Sequence, residues 1–264
     1  MTSSASCSKK DRLINDAYLP DTRMMRKKES KEAGRNKQNV QDPPSRNFRV
    51  SDYIIILLII LSFTISAFFY NSVPDRMASH WGVNGQANGF MGKNIALFLL
   101  PGILAVMYGL LKVIPKIDPR KENIKSFEKN YNFFVLVTIT FLFYVHILTL
   151  IWNMGYYFNM TYAVMPGVSI IFFSVGILME KTKMNYSIGI RTPWTLASET
   201  VWNKTHKLGG MVFKTIAILM FISMFLPKIF LVLSIIFMIG LLVWVVVYSY
   251  LEFRKEEKTK QKRK

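Results

Sequence analysis

The segment SIGIRTPWTLASETVWNKTHKLGG, from Ser187 to Gly210, holds the side chains of this chain best suited to chemistry. Thr205 and His206 offer a hydroxyl beside a base, but adjacent helical residues diverge by about 100° and cannot form a nucleophile–base pair. Glu199 precedes His206 by seven residues, a spacing that returns to the same side of a helix. No third group completes a hydrolase set, so the segment does not predict hydrolase chemistry.

Anion binding is a second chemistry that the segment allows. Thr192 and Pro193 are typical of a helix start, with threonine as N-cap and proline in the first turn. The predicted helix, PWTLASETVWNKTHKL, is closed by the glycine pair 209–210. Arg191 lies just before the helix start, where backbone N–H groups point outward, so the two could bind an anion together. Apolar residues at helical spacing, Trp194 among them, predict that this helix lies along the membrane surface; a linker anchored by its tryptophans is the plainer alternative.

The connection 71–94, NSVPDRMASHWGVNGQANGFMGKN, contains His80, the residue most suited to a metal. Zinc sites normally need three or four ligands, and Asp75 is the nearest carboxylate, so we predict no metal and no cofactor. The glycines and asparagines of the connection favour tight turns. We therefore expect a compact cap on the outer mouth of the bundle, with Trp81 and Phe90 at the level of the lipid headgroups.

His146 is the ionisable side chain that lies well inside an apolar run. A hydrogen bond to a neighbouring helix is the expected role, and gating or substrate contact is the alternative. The Asp and Glu residues lie outside the apolar runs or at their ends. Because buried charged groups mark ion and proton routes, this distribution argues against an ordinary proton-coupled transporter.

The elements that carry these residues are membrane spans. The chain has 264 residues, 51% of them hydrophobic, and the apolar residues come in blocks. A helix needs about 20 apolar residues to cross the roughly 30 Å hydrocarbon layer. The blocks predict an all-α integral membrane protein, a six-helix transmembrane bundle with spans at Tyr53–Tyr70, Ile95–Ile114, Phe133–Trp152, Val164–Met179, Gly210–Leu226 and Ile229–Tyr250. Lys214, in the fifth span, is expected to snorkel to the nearest interface.

The basic residues predict the orientation of the bundle. The formal net charge is +18, and 31 of the 34 lysines and arginines fall in residues 1–50, 112–130, 180–214 and 252–264. Cytoplasmic segments collect lysine and arginine, so we expect both termini in the cytoplasm of a protein of the cell membrane. The same bias explains the basic excess, and no direct nucleic-acid partner is expected.

The chain is expected to divide into four regions. Residues 1–50 form a disordered basic tail, 51–130 hold the first two spans and the cap, 131–250 hold the last four spans, and 251–264 form a second basic tail. We expect no cleavable signal peptide before the first span. The single cysteine, Cys7, excludes an internal disulfide.

Two stretches of the sequence resemble a known family. GIRTPWTLASETVWNKTHKLGG closely resembles the signature of the SdpI family of prokaryotic membrane immunity proteins, and VPDRMASHWGVNGQANGFMGK resembles the outer-loop module of unknown function that often precedes it. The resemblance covers roughly Ser51 to Tyr250. In the module, Met77 and Ala78 replace the usual Ile-Pro before the histidine, and Asn88 replaces a frequent Asp.

The resemblance implies a non-enzymatic membrane protein that protects a cell from a secreted peptide toxin and signals by sequestering a cytoplasmic repressor. The family has no established catalytic residues, so only motif positions carry over. The inner positions are Gly189, Arg191, Thr192, Pro193, Trp194, Glu199, Trp202, Thr205 and His206, and the outer positions are Pro74, His80, Trp81, Gly85, Gly89 and Lys93.

Two other classes of function stay open at this point. A transporter or exporter of a small amphipathic ligand would use the kinks expected in the second and fourth spans, together with His146. A membrane enzyme acting on lipid-linked substrates would need His206 and Glu199 to converge on one pocket.

Overall fold

The structure is a computed structural model that describes residues 49–262, the side chain of Lys228 excepted. The tail predicted over residues 1–50, with Cys7, thus lies outside the described residues apart from its last two positions. Within residues 49–262, six helices are long and apolar enough to cross a membrane, which confirms the predicted six-helix membrane protein. These are α1 (Val50–Phe68), α2 (Lys93–Ile117), α4 (Glu128–Asn153), α5 (Met160–Lys181), α7 (Glu199–Ser223) and α8 (Lys228–Lys262). Two short helices, α3 (Lys121–Lys125) and α6 (Pro193–Ala197), lie in the connections.

The six long helices pack as two groups of three. The first group, α1, α2 and α4, surrounds a core that includes Ile55, Leu104 and Ile139. The second group, α5, α7 and α8, surrounds a core that includes Ile216 and Val245. The packing of α4 against α5 joins the two groups. This is the main helix–helix contact between the two groups.

A β-hairpin lies in the connection 71–94, where the sequence predicted a compact cap with tight turns and did not identify strands. Its strands are β1 (Arg76–Trp81) and β2 (Ala87–Gly92), which pair in antiparallel orientation. Asn153, at the end of α4, fixes the hairpin to the bundle: its Oδ1 accepts the N–H of Ala78 at 2.7 Å, and its Nδ2 donates to the Ala78 carbonyl at 3.1 Å. We call the end of the bundle that carries this hairpin the hairpin end.

The helix predicted over residues 193–208 begins at Pro193 as predicted, but it is not continuous and it does not end at the glycine pair. The short α6 stops at Ala197, and α7 begins at Glu199 and continues through the glycine pair 209–210 into the fifth span. Ser198 causes the break, because its backbone is extended and its Oγ accepts the N–H of Val201 as the N-cap of α7. We call the end of the bundle formed by residues 182–208 and the elements that contact them the motif end.

The last helix also differs from its prediction, since residues 251–262 are the final turns of α8 rather than a tail separate from the span. Two acidic side chains support these turns. Glu252 accepts from Lys204 of α7 at 2.7 Å, and Glu256 accepts from the Ser198 hydroxyl at 2.5 Å. The extension is therefore held against the motif end.

Two polar side chains inside the spans find partners on neighbouring helices. His146 is buried, and its Nε2 lies 3.2 Å from the Oγ of Ser66 on α1, as the sequence predicted for a lone histidine. Because Ser66 gives its own proton to the Leu97 carbonyl at 2.7 Å, Nε2 is the donor to Ser66. Lys214, which the sequence predicted to snorkel, pairs through its Nζ with Glu180 of α5 at 2.7 Å.

Candidate functional sites at the two ends of the bundle

The tip of the hairpin is hydrogen-bonded to the start of α5, and we call these contacts the latch. Asn159, the N-cap of α5, donates from Nδ2 to the Asn84 carbonyl at 3.0 Å, while its Oδ1 accepts the N–H of Tyr162 at 3.2 Å. Thr161 donates to the Gly82 carbonyl at 3.2 Å. Gly85 has a φ of +77°, and a Cβ at this position would collide with the Asn159 side chain. The tip therefore requires glycine for both its backbone conformation and its contact with α5.

The base of the hairpin is closed by Lys93 and Asp75. The N–H of Lys93 donates to the Asp75 carbonyl at 2.9 Å, and its Nζ lies 2.8 Å from the Asp75 carboxylate. The hydrogen bond from the Lys93 side chain, followed by the positive charge of its ammonium group, lowers the pKa of the Asp75 carboxyl. Pro74 lies exposed immediately before this pair. Two of the six predicted outer positions thus flank the base of the hairpin.

The remaining outer positions lie on the strands. His80 Nδ1 donates to the Asn88 amide oxygen at 2.6 Å, so Asn88, which departs from the family pattern, orients the histidine. Gly89 is paired with His80 across the strands, and a Cβ there would be 2.9 Å from the His80 Cβ. Trp81 packs edge to face on Trp152 at 5.6 Å between ring centroids.

At the motif end, the loop between α5 and α6 is fixed by buried polar side chains that the sequence did not single out. Asn185 is fully buried, and its Oδ1 accepts the N–H groups of Ser187 and Ile188 at 2.9 and 2.6 Å. Asp118, just after α2, is also buried and accepts from the Tyr186 N–H and the Ser187 hydroxyl at 2.9 and 2.6 Å. These bonds join the loop to the first group of helices. An Asx turn at Asn185 was a possible sequence signal, whereas the contact with Asp118 spans 68 residues and left no local trace.

Gly189 brings this loop onto α7. Its φ is +123°, and a Cβ on it would collide with the His206 imidazole. The N–H of Ile190 donates to His206 Nε2 at 2.9 Å, so this nitrogen is unprotonated and Nδ1 donates to the Trp202 carbonyl at 2.9 Å. Trp202 stacks on the imidazole and donates from Nε1 to the Thr182 carbonyl at 3.0 Å. Three predicted motif residues, Gly189, Trp202 and His206, thus form one interlocked contact.

Helix α6 begins at Thr192 and Pro193 as predicted, but the polar groups at this start hydrogen-bond to each other. Thr192 Oγ1 accepts the N–H of Thr195, and Thr195 Oγ1 accepts the N–H of Thr192, which makes a capping box. Thr192 also contacts the Ser249 hydroxyl of α8 at 3.1 Å, and Trp194 packs on Tyr250 at 5.1 Å between ring centroids. The predicted anion corner therefore serves as a docking point between α6 and α8.

The three remaining motif residues separate into exposed and buried positions. Arg191 is exposed and donates to the Tyr186 carbonyl at 2.6 Å, and Glu199 is exposed at the start of α7. Thr205 is fully buried, and its hydroxyl has no partner among the described residues. Glu199 and His206 do not converge on one pocket, because the carboxylate faces outward while both nitrogens of the imidazole are engaged. The arrangement required by the enzyme hypothesis is therefore not present at these residues.

Helix α5 connects the two ends of the bundle. Gly176 and Gly210 let α5 and α7 approach so closely that a Cβ on Gly210 would lie 2.9 Å from the Gly176 carbonyl oxygen. One turn further, Glu180 and Lys214 form the ion pair described above, and Thr182 then accepts from the Trp202 indole. The helix that begins under the hairpin tip thus ends on the motif residues.

Comparison with known proteins gives matches to both ends. The SdpI/YfhL protein family matches residues 181–250, from the end of α5 to α8. A domain of unknown function, DUF1648, matches residues 57–105, from α1 through the hairpin into α2. The immunity protein SdpI of Bacillus subtilis (strain 168) is 30% identical over 162 residues, which are 60% of this chain and 74% of that protein. No solved structure matches the chain at a significant level.

The six apolar helices define a multi-pass α-helical membrane protein. Several of its signature residues hold the hairpin and the motif loop against the long helices. The matched regions contain every motif position that the sequence analysis named. The chain belongs to the SdpI family.

Proposed function

We propose that this chain protects the cell membrane against a secreted, membrane-active peptide and reports the encounter to a cytoplasmic protein of the repressor type. The immunity protein of Bacillus subtilis, which shares 30% identity with the chain, supports the protective role. In this proposal the hairpin end faces the medium and the motif end faces the cytosol, as the distribution of lysine and arginine predicts.

The link through α5 is the observation that carries the proposal. The hairpin tip is bonded to the first turn of α5 through Asn159 and Thr161, and the last turn of α5 is bonded to α7 through Glu180 and Thr182. A peptide that binds one arrangement of the hairpin more tightly would shift the populations of both ends. Packed helices with two discrete arrangements are the physical means by which such coupling travels.

The surface offered to a cytoplasmic protein would include the exposed Arg191 and Glu199. The buried motif residues have a different part in the proposal, because they hold that surface in place. We therefore expect Arg191→Ala to weaken reporting while protection remains. Co-purification of cytoplasmic proteins with the wild type and with Arg191→Ala, before and after exposure to the peptide, measures the difference.

Protection is tested by survival of cells that carry the chain when they meet membrane-active peptides secreted by its source organism. The informative pair of variants is Gly85→Ala, which breaks the latch, and Gly92→Ala, which has open space for a Cβ in the same hairpin. We expect the wild type and Gly92→Ala to protect and Gly85→Ala to fail while it still reaches the membrane in equal amount. Equal killing with and without the chain would overturn the protective role. Full protection by Gly85→Ala would overturn the link through the hairpin tip.

The proposed orientation has its own test by cysteine labelling of intact cells. In a Cys7→Ser background, a cysteine at Asn84 should react with a membrane-impermeant maleimide and a cysteine at Glu199 should not. The reverse pattern would invert the bundle and remove the proposed mechanism.

Transport of a small amphipathic ligand is a second candidate, favoured by an apolar cavity of about 490 Å³ at the hairpin end that is lined by residues such as Leu99, Val164 and Met220. The two candidates differ in flux, since a transporter moves its ligand across proteoliposomes and a protective receptor does not. Peptide flux that depends on the chain would support the second candidate.

A further inference from the structure

A pocket of about 720 Å³ lies between the hairpin and the connection from α4 to α5. The apolar cavity of about 490 Å³ at the same end of the bundle is lined by other residues. The wall of the larger pocket combines a cation, an amide and four aromatic rings, which come from Arg76, Gln86, Phe90, Trp152, Tyr157 and Phe158. The pocket thus places one positive charge among apolar surfaces.

The charge in this pocket, on Arg76, has no acidic partner among residues 49–262. Asp75 is the only acidic residue in the connections 71–94 and 153–159, and its carboxylate is paired with Lys93. The guanidinium group of Arg76 keeps its proton in proteins and has five N–H donors, whose planar arrangement matches the oxygens of a carboxylate or a phosphate. An anion is therefore the complementary ligand.

Two neutral side chains of the wall have unused hydrogen-bond donors. The Gln86 side-chain amide and the Tyr157 hydroxyl have no hydrogen-bond partner within the part of the chain that the structure describes. The side-chain amides of Asn153 and Asn159, which also line the pocket, already donate to backbone carbonyls. The donors left for an occupant come from a guanidinium, an amide and a hydroxyl. Together they suit a group that carries several oxygen atoms on one centre.

The position of the pocket along the bundle indicates which anion it meets. The apolar run that ends at Trp152 is long enough to cross the hydrocarbon layer, so Trp152 lies at the boundary of that layer. Tryptophan and tyrosine are enriched at this boundary, at the level of the lipid headgroups. A phosphodiester group is therefore the anion most concentrated beside Arg76.

We propose that this pocket binds the phosphodiester group of a membrane phospholipid. Arg76 donates to the charged oxygens, and the aromatic rings surround the glycerol and the first carbons of the acyl chains. Inorganic phosphate would satisfy the guanidinium group but has no apolar part for the rings to contact. The proposal goes beyond the proposed function and holds for either orientation of the bundle, because both leaflets contain phosphodiesters.

A lipid in this pocket would also reach the latch. Asn159 lines the pocket, and its Nδ2 donates to the Asn84 carbonyl at the tip of the hairpin. The bound headgroup would thus contact both the hairpin and the residue that holds its tip on α5. We expect occupancy of the pocket to stabilise this arrangement of the hairpin.

Fluorine NMR of the full chain in dodecyl maltoside, a detergent without phosphate or charge, tests the proposal. The label, 4-fluorophenylalanine, replaces Phe158, which lines the pocket, or Tyr156, which is exposed in the same connection outside the lining. The probes are dihexanoyl phosphatidylglycerol, dihexanoylglycerol, which lacks the phosphate, inorganic phosphate and acetate. We expect phosphatidylglycerol to shift the resonance at position 158 until it saturates. The other three probes should leave that resonance nearly unchanged, and position 156 should respond weakly to all four.

Variants of two arginines examine the charge. Arg76→Gln removes the guanidinium group, and Arg254→Gln makes the same change at an exposed position of α8. We expect Arg76→Gln to weaken phosphatidylglycerol binding about tenfold, as the loss of a hydrogen bond to a charged group predicts, and Arg254→Gln to leave it unchanged. Arg76→Lys keeps the charge without the planar donors and should lie between the two. Equal binding in all three variants would overturn the assignment of Arg76.

The probes separate the possible occupants. A shift by dihexanoylglycerol as large as that by phosphatidylglycerol would show that the acyl chains bind alone, and would overturn the role of the phosphate. A saturating shift by inorganic phosphate would assign the pocket to free phosphate, and one by acetate would assign it to a carboxylate such as that of a peptide. Either result would overturn the lipid site. None of these results depends on survival of cells, so the site and the protective role fail separately.

Discussion

Gly189 and His206 fit together in a way that permits no side chain at position 189. The glycine has a positive φ and faces the imidazole, and the following N–H donates to His206 Nε2 at 2.9 Å. This contact holds the loop after α5 on the fifth span. The conformation and the close approach are separate reasons for glycine, so replacing it affects both.

The first prediction concerns this contact. Gly189→Ala should lower the free energy of unfolding by about 1–3 kcal/mol, because alanine is strained at this φ and its methyl group displaces the imidazole. Thermal unfolding in detergent measures the change. Gly109→Ala is the matched control, since a Cβ there meets open space in a helix. Equal melting temperatures for the two variants would contradict the assignment.

The second prediction concerns Asp118, which accepts from two residues of the motif loop. Asp118→Asn should cost about 1–3 kcal/mol, because an amide presents one acceptor oxygen where the carboxylate presents two, and a buried donor is left unpaired. Hydrogen exchange at Tyr186 and Ser187 should speed up. Glu122→Gln, in the same connection, changes an exposed carboxylate and should leave that exchange unaltered.

The third prediction concerns the ion pair that fastens α8 to α7. Glu252 is almost fully buried, and Lys204, its partner at 2.7 Å, is half exposed. A double-mutant cycle with Glu252→Gln and Lys204→Met should give a coupling free energy of about 1–3 kcal/mol. The surface pair Lys125–Glu122 should give less than about 0.5 kcal/mol, because solvent screens it. Comparable coupling free energies in both pairs would show that the Lys204–Glu252 pair does not stabilise the packing of α8 on α7.

The fourth prediction concerns pH at the base of the hairpin. Lys93 lowers the pKa of Asp75, so the pair contributes stability above the ordinary carboxyl pKa, and that contribution is lost as pH falls through the lowered value. The Asp75 carboxyl is 89% exposed, so the contribution is small. Carbon NMR titration should find the Asp75 midpoint below that of a model carboxyl, and Lys93→Met should return it toward the ordinary value. An unchanged midpoint in Lys93→Met would rule out the pair in solution.

Local patterns in the sequence were enough for several features of this protein. Apolar blocks of sufficient length predicted six spans, because the thickness of the bilayer sets the length of a helix. Thr192 and Pro193 predicted a helix start, because capping involves residues within one turn. His146 was predicted to have a partner on a neighbouring helix, and Ser66 is that partner. In each case the feature depends on residues a few positions apart or on a requirement set by the membrane.

The sequence misplaced features whose causes lie far along the chain. The glycine pair 209–210 was predicted to end a helix, but Gly210 instead allows α7 to cross α5 at Gly176. The hairpin was missed because its strands are short, because β2 is rich in glycine and asparagine, and because Asn153 from another element stabilises it.

The sequence by itself determined that the chain is a six-span membrane protein, which positions carry its signature, and where that signature begins a helix. Only the tertiary structure decided which partners the signature residues contact, because most of these partners belong to other elements. Glycine has the same local propensity at a helix end and at a helix crossing. The distinction between those two roles, and the meeting of Asp118 with Tyr186, depend on how the helices pack.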